Sequence, residues 1–292
     1  MRLALFVLLF AHPLAAQAIA PRPVASVLTG RFQEPDLRES SGAARLAAQP
    51  RVIFTLNDSG NPAEIFATDS SGRALGRWLV PGATNRDWEA LSIGPCPSGA
   101  CFFIGDIGDN RERRSEVIVY RVNVPPLAVF RGAPDRTPIR LDSAVVRYPD
   151  APHDAEATWV GDNGDYFIVT KGRRGGIRLF RVPASAFGAR QAVTALLVQQ
   201  LPIQPFPSFG RLVTDAARSP DGRKVAIRTY TELYLFTLIG DGRVAPNPTI
   251  CNVAGLEAQG EGVAWLDDRR LVLTSEAVGV SPGMIHIVSC GA

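Results

Sequence analysis

The sequence predicts an all-β fold, and three observations carry that prediction. One unit recurs five times: an acidic or small polar residue, a short strand of small residues, a tight turn, a strongly apolar strand and a polar cluster. Each recurrence is followed by further strand-like runs, giving about four strands per unit. No convincing amphipathic helix of three turns occurs, with 184–198 as the one candidate segment. Four-stranded antiparallel units at spacings of roughly 46 to 67 residues have the organisation of a β-propeller. The expected count is five blades. Six is the alternative, since a further blade could lie in 110–150 or 172–212.

The elements follow in order. Residues 1–18, "MRLALFVLLFAHPLAAQA", have an arginine, an apolar stretch and the small-x-small triplet Ala16-Gln17-Ala18, the pattern of a cleaved export signal. The expected mature chain, 19–292, is a single propeller domain, exported to the periplasm or the medium. "PVASVLTGRF" (23–32) is a strand lying before the first repeat, placed to complete the last blade and close the ring. The units then begin at Glu39 ("ESSGAARLAAQPRVIFTLNDSG"), Asp87 ("DWEALSIGPCPSGACFFIGDIGDN"), Asp154 ("DAEATWVGDNGDYFIVTKG"), Thr214 ("TDAARSPDGRKVAIRTYT") and Gly260 ("GEGVAWLDDRRLVLTSEA"). Asp162-Asn163-Gly164 and Pro220-Asp221-Gly222 favour positive φ and close two-stranded hairpins.

Export makes the four cysteines interpretable, because disulfides persist in oxidising compartments. Cys96 and Cys101 flank Pro97 and Gly99, a turn between two strands, and a bridge there closes a loop worth about 2 kcal/mol. Cys251 and Cys290 remain; pairing them would tie the chain end to an earlier strand, and free buried thiols are the alternative. A net charge of +3 is too weak to imply a nucleic-acid partner. No later segment is long and apolar enough for a membrane-spanning helix. A monomer is expected.

The units "DWEALSIG", "DAEATWVG" and "GEGVAWLDDRRLVLTSE", with "LNDSGNPAEIFATDSSGRALGRW", resemble the exported bacterial propellers of the SdiA-regulated and phytase-like or esterase-like classes. "ARSPDGRKVAI" is similar to the repeat of TolB-type propellers. The resemblance covers most of the mature chain and is specific for fold rather than activity. Related propellers hold a divalent cation with acidic residues near the central channel, which the resemblance implies here.

The residues themselves point to the same place. In a strand, residues two apart share a face, so Asp87 and Glu89 stand side by side. At an effective dielectric near 20, charges about 5 Å apart repel by roughly 3 kcal/mol, so a cation, donor set or retained proton must offset them. The repeats extend that pair into a ring at one channel mouth, with Ser41, Glu89, Glu156, Asp215 and Glu261 at the recurring position. The expected metal ligands are Glu89, Glu156, Asp215, Glu261, Asp58 and Asp106; for any single acid at a strand start the alternative is a latch that accepts backbone N–H groups of the neighbouring blade. An oxygen-rich, histidine-poor set suits Ca²⁺, with Mg²⁺ the alternative. No organic cofactor is expected. Lys171, Arg228, Tyr230 and His153 are the candidates for ligand contact. His153 has a bland alternative as a turn histidine, and His286 alternates with Ile285 and Ile287 as an exposed strand residue.

Two functions compete. The favoured one is a propeller that binds a small molecule, a glycan or a protein at the acidic mouth. The alternative is a metal-assisted hydrolase of phosphoesters, lactones or esters, in which a cation polarises the substrate oxygen or activates water. The lack of a Gly-x-Ser-x-Gly elbow argues against a serine hydrolase of the common type.

Overall fold

A computed structural model describes residues 20–97, 99–124, 141–206 and 210–291. The expected export signal, 1–18, lies outside the described residues, as does 125–140 within one stretch considered for a sixth blade. β1 (Arg22–Arg31) precedes a four-stranded antiparallel sheet of β2 (Ser40–Ala44), β3 (Ile53–Asn57), β4 (Glu64–Thr68) and β5 (Ala74–Leu79). The next sheet holds β6 (Trp88–Cys96), β7 (Gly99–Asp106), β8 (Val117–Asn123) and β9 (Leu141–Arg147). β10 (Ala155–Val160), β11 (Tyr166–Thr170) and β12 (Arg178–Val182) begin a third. From there the chain returns through β13 (Val193–Thr194), parallel to β9, before β14 (Leu196–Gln200) completes that sheet.

The remaining strands form two antiparallel runs joined through β1. The first is β15 (Val213–Arg218), β16 (Lys224–Thr229), β17 (Glu232–Ile239) and β19 (Thr249–Asn252), with β18 (Arg243–Val244) paired to β17. The second is β20 (Gly260–Trp265), β21 (Arg270–Ser275) and β22 (Met284–Cys290). β1 pairs antiparallel with β22 from Val24↔Cys290 to Arg31↔Met284, so the strand before the first repeat adds the fourth strand to the last unit. Its first two residues also pair parallel with β19. Disulfides link Cys96 to Cys101 and Cys251 to Cys290, the latter joining β19 to β22 where β1 begins.

The segment 184–198 is not a helix. It holds a short 3-10 turn, Ala184–Ala186, and then β13 and β14. A short apolar run fits either period, and the open edge of β12 decides in favour of strand, pairing Arg178 with Gln200 and Arg181 with Leu196.

The first strands of the five units pack in cyclic order: β2 on β6, β6 on β10, β10 on β15, β15 on β20, and β20 back on β2. β15 also reaches β2 and β6 across the axis, so the ring is tight. Small residues permit that approach. A Cβ on Gly42 would lie 2.8 Å from the Leu91 amide nitrogen, and one on Gly94 would lie 2.4 Å from Val160 Cβ. Apolar clusters fill the space between successive sheets. One surrounds Phe54, Trp78, Trp88 and Phe102; another holds Trp159, Phe167 and Phe236. No helix among the described residues is long and apolar enough to cross a membrane.

Candidate functional site: an acidic mouth on the strand axis

Each first strand carries a β-bulge near its start. Ser41, Glu89, Glu156 and Thr214 are left out of the ladders with β3, β7, β11 and β16, and in β20 the shift spans Glu261 and Gly262. A bulge leaves one residue unpaired and re-aims its side chain. The bulged positions are tied together: Ser41 Oγ donates to Glu89 O at 3.2 Å and to Glu89 Oε2 at 2.9 Å, and Thr214 Oγ1 donates to Glu261 O at 3.0 Å. One unit therefore contributes a threonine where the repeats suggested an acid.

Asp215 stands one residue further on, beside Gly42, Ala90, Ala157 and Gly262 in the other units. Its Oδ2 accepts from the amides of Ala43 (3.1 Å) and Val263 (2.8 Å), and its Oδ1 from that of Ala216 (2.8 Å). Fully buried, it links three first strands across the axis. Burial pushes its carboxyl well above the usual range, and the three N–H donors work against that shift. Asp215, expected among the metal ligands, thus has both oxygens engaged as a backbone cross-link.

The ends of the second strands surround the bulge ring. By register, Asp58, Lys171, Tyr230 and Glu276 occupy corresponding places just beyond β3, β11, β16 and β21. Asn85 pins Asp58 there: its Nδ2 donates to Asn57 O (3.0 Å) and Asp58 O (2.8 Å), while its Oδ1 accepts from the Trp88 amide (3.1 Å). The result is a cluster in which Asp58, Asp87 and Glu89 offer carboxylate oxygens within 4.8 Å of one another, an arrangement able to hold a metal ion. Gly108 makes room for it. A Cβ there would lie 2.6 Å from both Asp87 Cγ and Glu89 Oε1. Neither Asn85 nor Gly108 stood out in the sequence, since each acts through another residue's placement.

The electrostatics match a site starved of positive charge. Burial, then Asp58 and Asp154, push Asp87 up to about 6. Burial, then Glu156 and Asp58, push Glu89 well above the carboxylate range despite Lys171. Asp58 is raised by burial and by Glu39. Glu276 is pushed up to about 8 by burial, Glu261, Asp58 and Glu39. Glu261 is raised by burial, and its Oε2 has no hydrogen-bond partner among the described residues. Lys171 is a cation inside the mouth: its Nζ is 2.5 Å from Glu156 Oε1 and 5.9 Å from the Tyr230 ring centroid. Burial lowers the lysine's affinity for its proton, but Glu156, Tyr230 and Glu89 outweigh that and raise it overall. Tyr230 is raised by burial and by the charge of Glu261.

Other expected contributors are engaged elsewhere. Asp106 pairs with Arg114 at 2.8 Å. Arg228 donates to the carbonyls of Gly262 (2.7 Å) and Thr274 (2.9 Å) and pairs with Glu257, so its guanidinium cross-braces β16 and β20 instead of entering the mouth. His153 places Nε2 3.0 Å from Asp150 Oδ1 and packs on Tyr148 and Phe180, as a turn histidine does. His286 is buried rather than exposed, its Nδ1 2.9 Å from Glu257 Oε1, because β1 covers one edge of β22 and the Glu257 segment covers its side chain. Glu257 is held low despite burial by Arg228 and His286. Asp154 accepts from the Asp109 amide (2.8 Å) and pairs with Arg173.

No protein-family model and no curated protein matches the chain. Among solved structures it is similar to the PQQ-bound aldose sugar dehydrogenase from Streptomyces coelicolor, with a TM-score of 0.50 and 13% identity over 92% of this chain and 99% of that one. It is also similar to XC5397, a gluconolactonase from Xanthomonas campestris (TM-score 0.45, 10% identity, 94% and 96% covered). A further likeness is to the WD40 repeats of RRP9 (TM-score 0.45, 12% identity, 92% and 99% covered). At 13% identity the likeness to the dehydrogenase bears on fold alone, and with the ring of antiparallel sheets it supports an all-β, propeller-like architecture.

Proposed function

We propose that the chain is a five-bladed β-propeller, exported, that holds a divalent cation at its acidic mouth and uses it to bind an oxygen-rich ligand. The observation that carries this reading is the convergence of Asp58, Asp87 and Glu89 within 4.8 Å, all three raised by burial and by neighbouring carboxylates. A hard cation removes that repulsion. Ca²⁺ takes six to eight oxygens, so three carboxylates leave positions for water and for a carboxylate, hydroxyl or phosphate oxygen of a ligand. Glu156 is committed to Lys171, which makes the lysine an internal counter-ion to the ring and leaves the three-carboxylate group as the cation's seat.

Terbium luminescence tests the reading, because Trp88 lies between two of the ligands and can sensitise a bound lanthanide. Sensitised emission should saturate at one Tb³⁺ per chain, be displaced by Ca²⁺, and vanish in Asp87→Asn and Glu89→Gln. Emission unchanged in both folded variants would remove the site.

A second reading, metal-assisted hydrolysis, is favoured by one feature. Glu276, pushed up to about 8, carries a proton at neutral pH beside the cluster, as a general acid must. Nitrophenyl phosphate, nitrophenyl acetate and lactones, tested with and without Ca²⁺, separate the readings. Turnover abolished by Glu276→Gln would establish hydrolysis, and no turnover leaves the binding function.

A further inference from the structure

The five first strands have a second end, beyond the Asp215 cross-link, and it opens into a cavity of about 480 Å³. We propose that this opposite mouth is a separate binding site for a neutral, largely apolar small molecule. All five first strands contribute to it. Its walls include Ala43, Leu91, Ile93, Val160, Ala216 and Ala264. Its volume falls in the range of pockets that enclose drug-sized ligands.

The lining chemistry selects the ligand. Trp265 and Trp159 also face the cavity, and their positions are set by other contacts: Trp265 Nε1 donates to Ala217 O at 2.8 Å, and Trp159 stacks on Phe167 with ring centroids 5.2 Å apart. These aromatic surfaces are held rigidly, which reduces the entropy lost on binding. The Ser92 and Thr158 hydroxyls, 2.6 Å from each other, make a polar point suited to a single hydroxyl or carbonyl on the ligand, while the Ser219 hydroxyl is spent on Asp221 at 2.6 Å.

The rim argues against a charged ligand. Arg218 is held by Asp162 through two contacts of 2.6 Å, and Arg45 Nη1 is spent on the carbonyls of Trp265 and Leu266 at 2.8 Å each. Asp267 is held by Arg270 at 2.8 Å. With those groups engaged internally and the further rim carboxylate, Asp268, exposed to solvent, an anion or cation entering the apolar funnel would lose hydration with little in return. Small alanine side chains on three of the five first strands, β2, β15 and β20, leave the volume, where larger residues would have packed it shut.

The probe is N-phenyl-1-naphthylamine, a neutral dye whose emission rises in apolar surroundings, titrated into the full chain. We expect saturable enhancement at one dye per chain. Ala216→Leu, which fills the inner part, and Ala47→Trp, which caps the rim from an exposed position, should each weaken binding at least about ten-fold. Glu89→Gln at the opposite mouth should leave it unchanged. Circular dichroism confirms folding, and should Ala216→Leu fail to fold, the exposed Ala47→Trp decides. Non-saturable enhancement, wild-type affinity in folded Ala47→Trp, or loss of binding in folded Glu89→Gln would overturn the proposal.

Discussion

Ser41 hands its hydroxyl hydrogen to Glu89: Oγ lies 2.9 Å from Oε2 and 3.2 Å from the backbone oxygen of the same residue. That bond favours the ionised carboxylate in a place where burial and Glu156 oppose it. Ser41→Ala should therefore raise the proton affinity of Glu89 further and weaken Tb³⁺ binding several-fold at pH 7. The pH midpoint of Tb³⁺ binding should move upward. It should also cost about 1 to 2 kcal/mol of stability in denaturant titration. Unaltered lanthanide affinity would mean Glu89 is not a ligand.

Asp215 yields the opposite pattern. Asp215→Ala leaves three buried amides without an acceptor and should destabilise by about 3 kcal/mol or more. Asp215→Asn should recover only part of this, because its amide nitrogen cannot accept from an N–H. Tb³⁺ affinity in whichever variant folds should match the unaltered protein. A loss of affinity comparable to Glu89→Gln would return Asp215 to the ligand set.

Stability without cation should fall as pH rises across the neutral range. The folded protein keeps protons on Asp87 up to about 6 and on Glu276 up to about 8, while the unfolded chain releases them near the ordinary values of 3.8 and 4.5. Between these limits the folded state binds more protons, so raising pH favours unfolding. In EDTA the melting temperature should decline from about pH 4 to about pH 8 and then level. Saturating Ca²⁺ should flatten that decline, since the ion takes the place of the protons. A melting temperature that climbs over the same range in EDTA would contradict the crowded-carboxylate account.

The two disulfides should differ in worth. Cys251–Cys290 spans 39 residues and Cys96–Cys101 spans 5. The loop-entropy relation assigns about 4 kcal/mol to the first and about 2 kcal/mol to the second. Cys251→Ala/Cys290→Ala should also loosen β1, seen as faster amide exchange from Val24 to Arg31. Equal shifts in denaturant midpoint for the two double variants would show that closure of the last unit does not depend on the longer bridge.

Much of the architecture was legible in the chain. Asp162-Asn163-Gly164 and Pro220-Asp221-Gly222 announce their hairpins because those residues tolerate the turn conformation locally; Gly164 and Gly222 have φ of 82° and 71°. The five units, the strand before the first of them and the small residues of the first strands are equally local signals. So is the concentration of acids at strand starts. The segment 184–198 was ambiguous because its period alone does not distinguish a short helix from a strand, and the free edge of β12 settled it.

What each acid does was decided only by tertiary structure. A strand alternates its faces every residue, so the bulge that leaves Thr214 unpaired puts Asp215 one place beyond Glu89, Glu156 and Glu261. That single step turns a presumed ligand into a cross-link. Arg228, Asp106 and His153 are likewise claimed by partners distant in sequence or set by a turn, and Asn85 and Gly108 matter only because they bring Asp58, Asp87 and Glu89 together. Residue type and spacing determined that acids would gather at one mouth; register and packing chose which of them keep their oxygens turned toward one another in it.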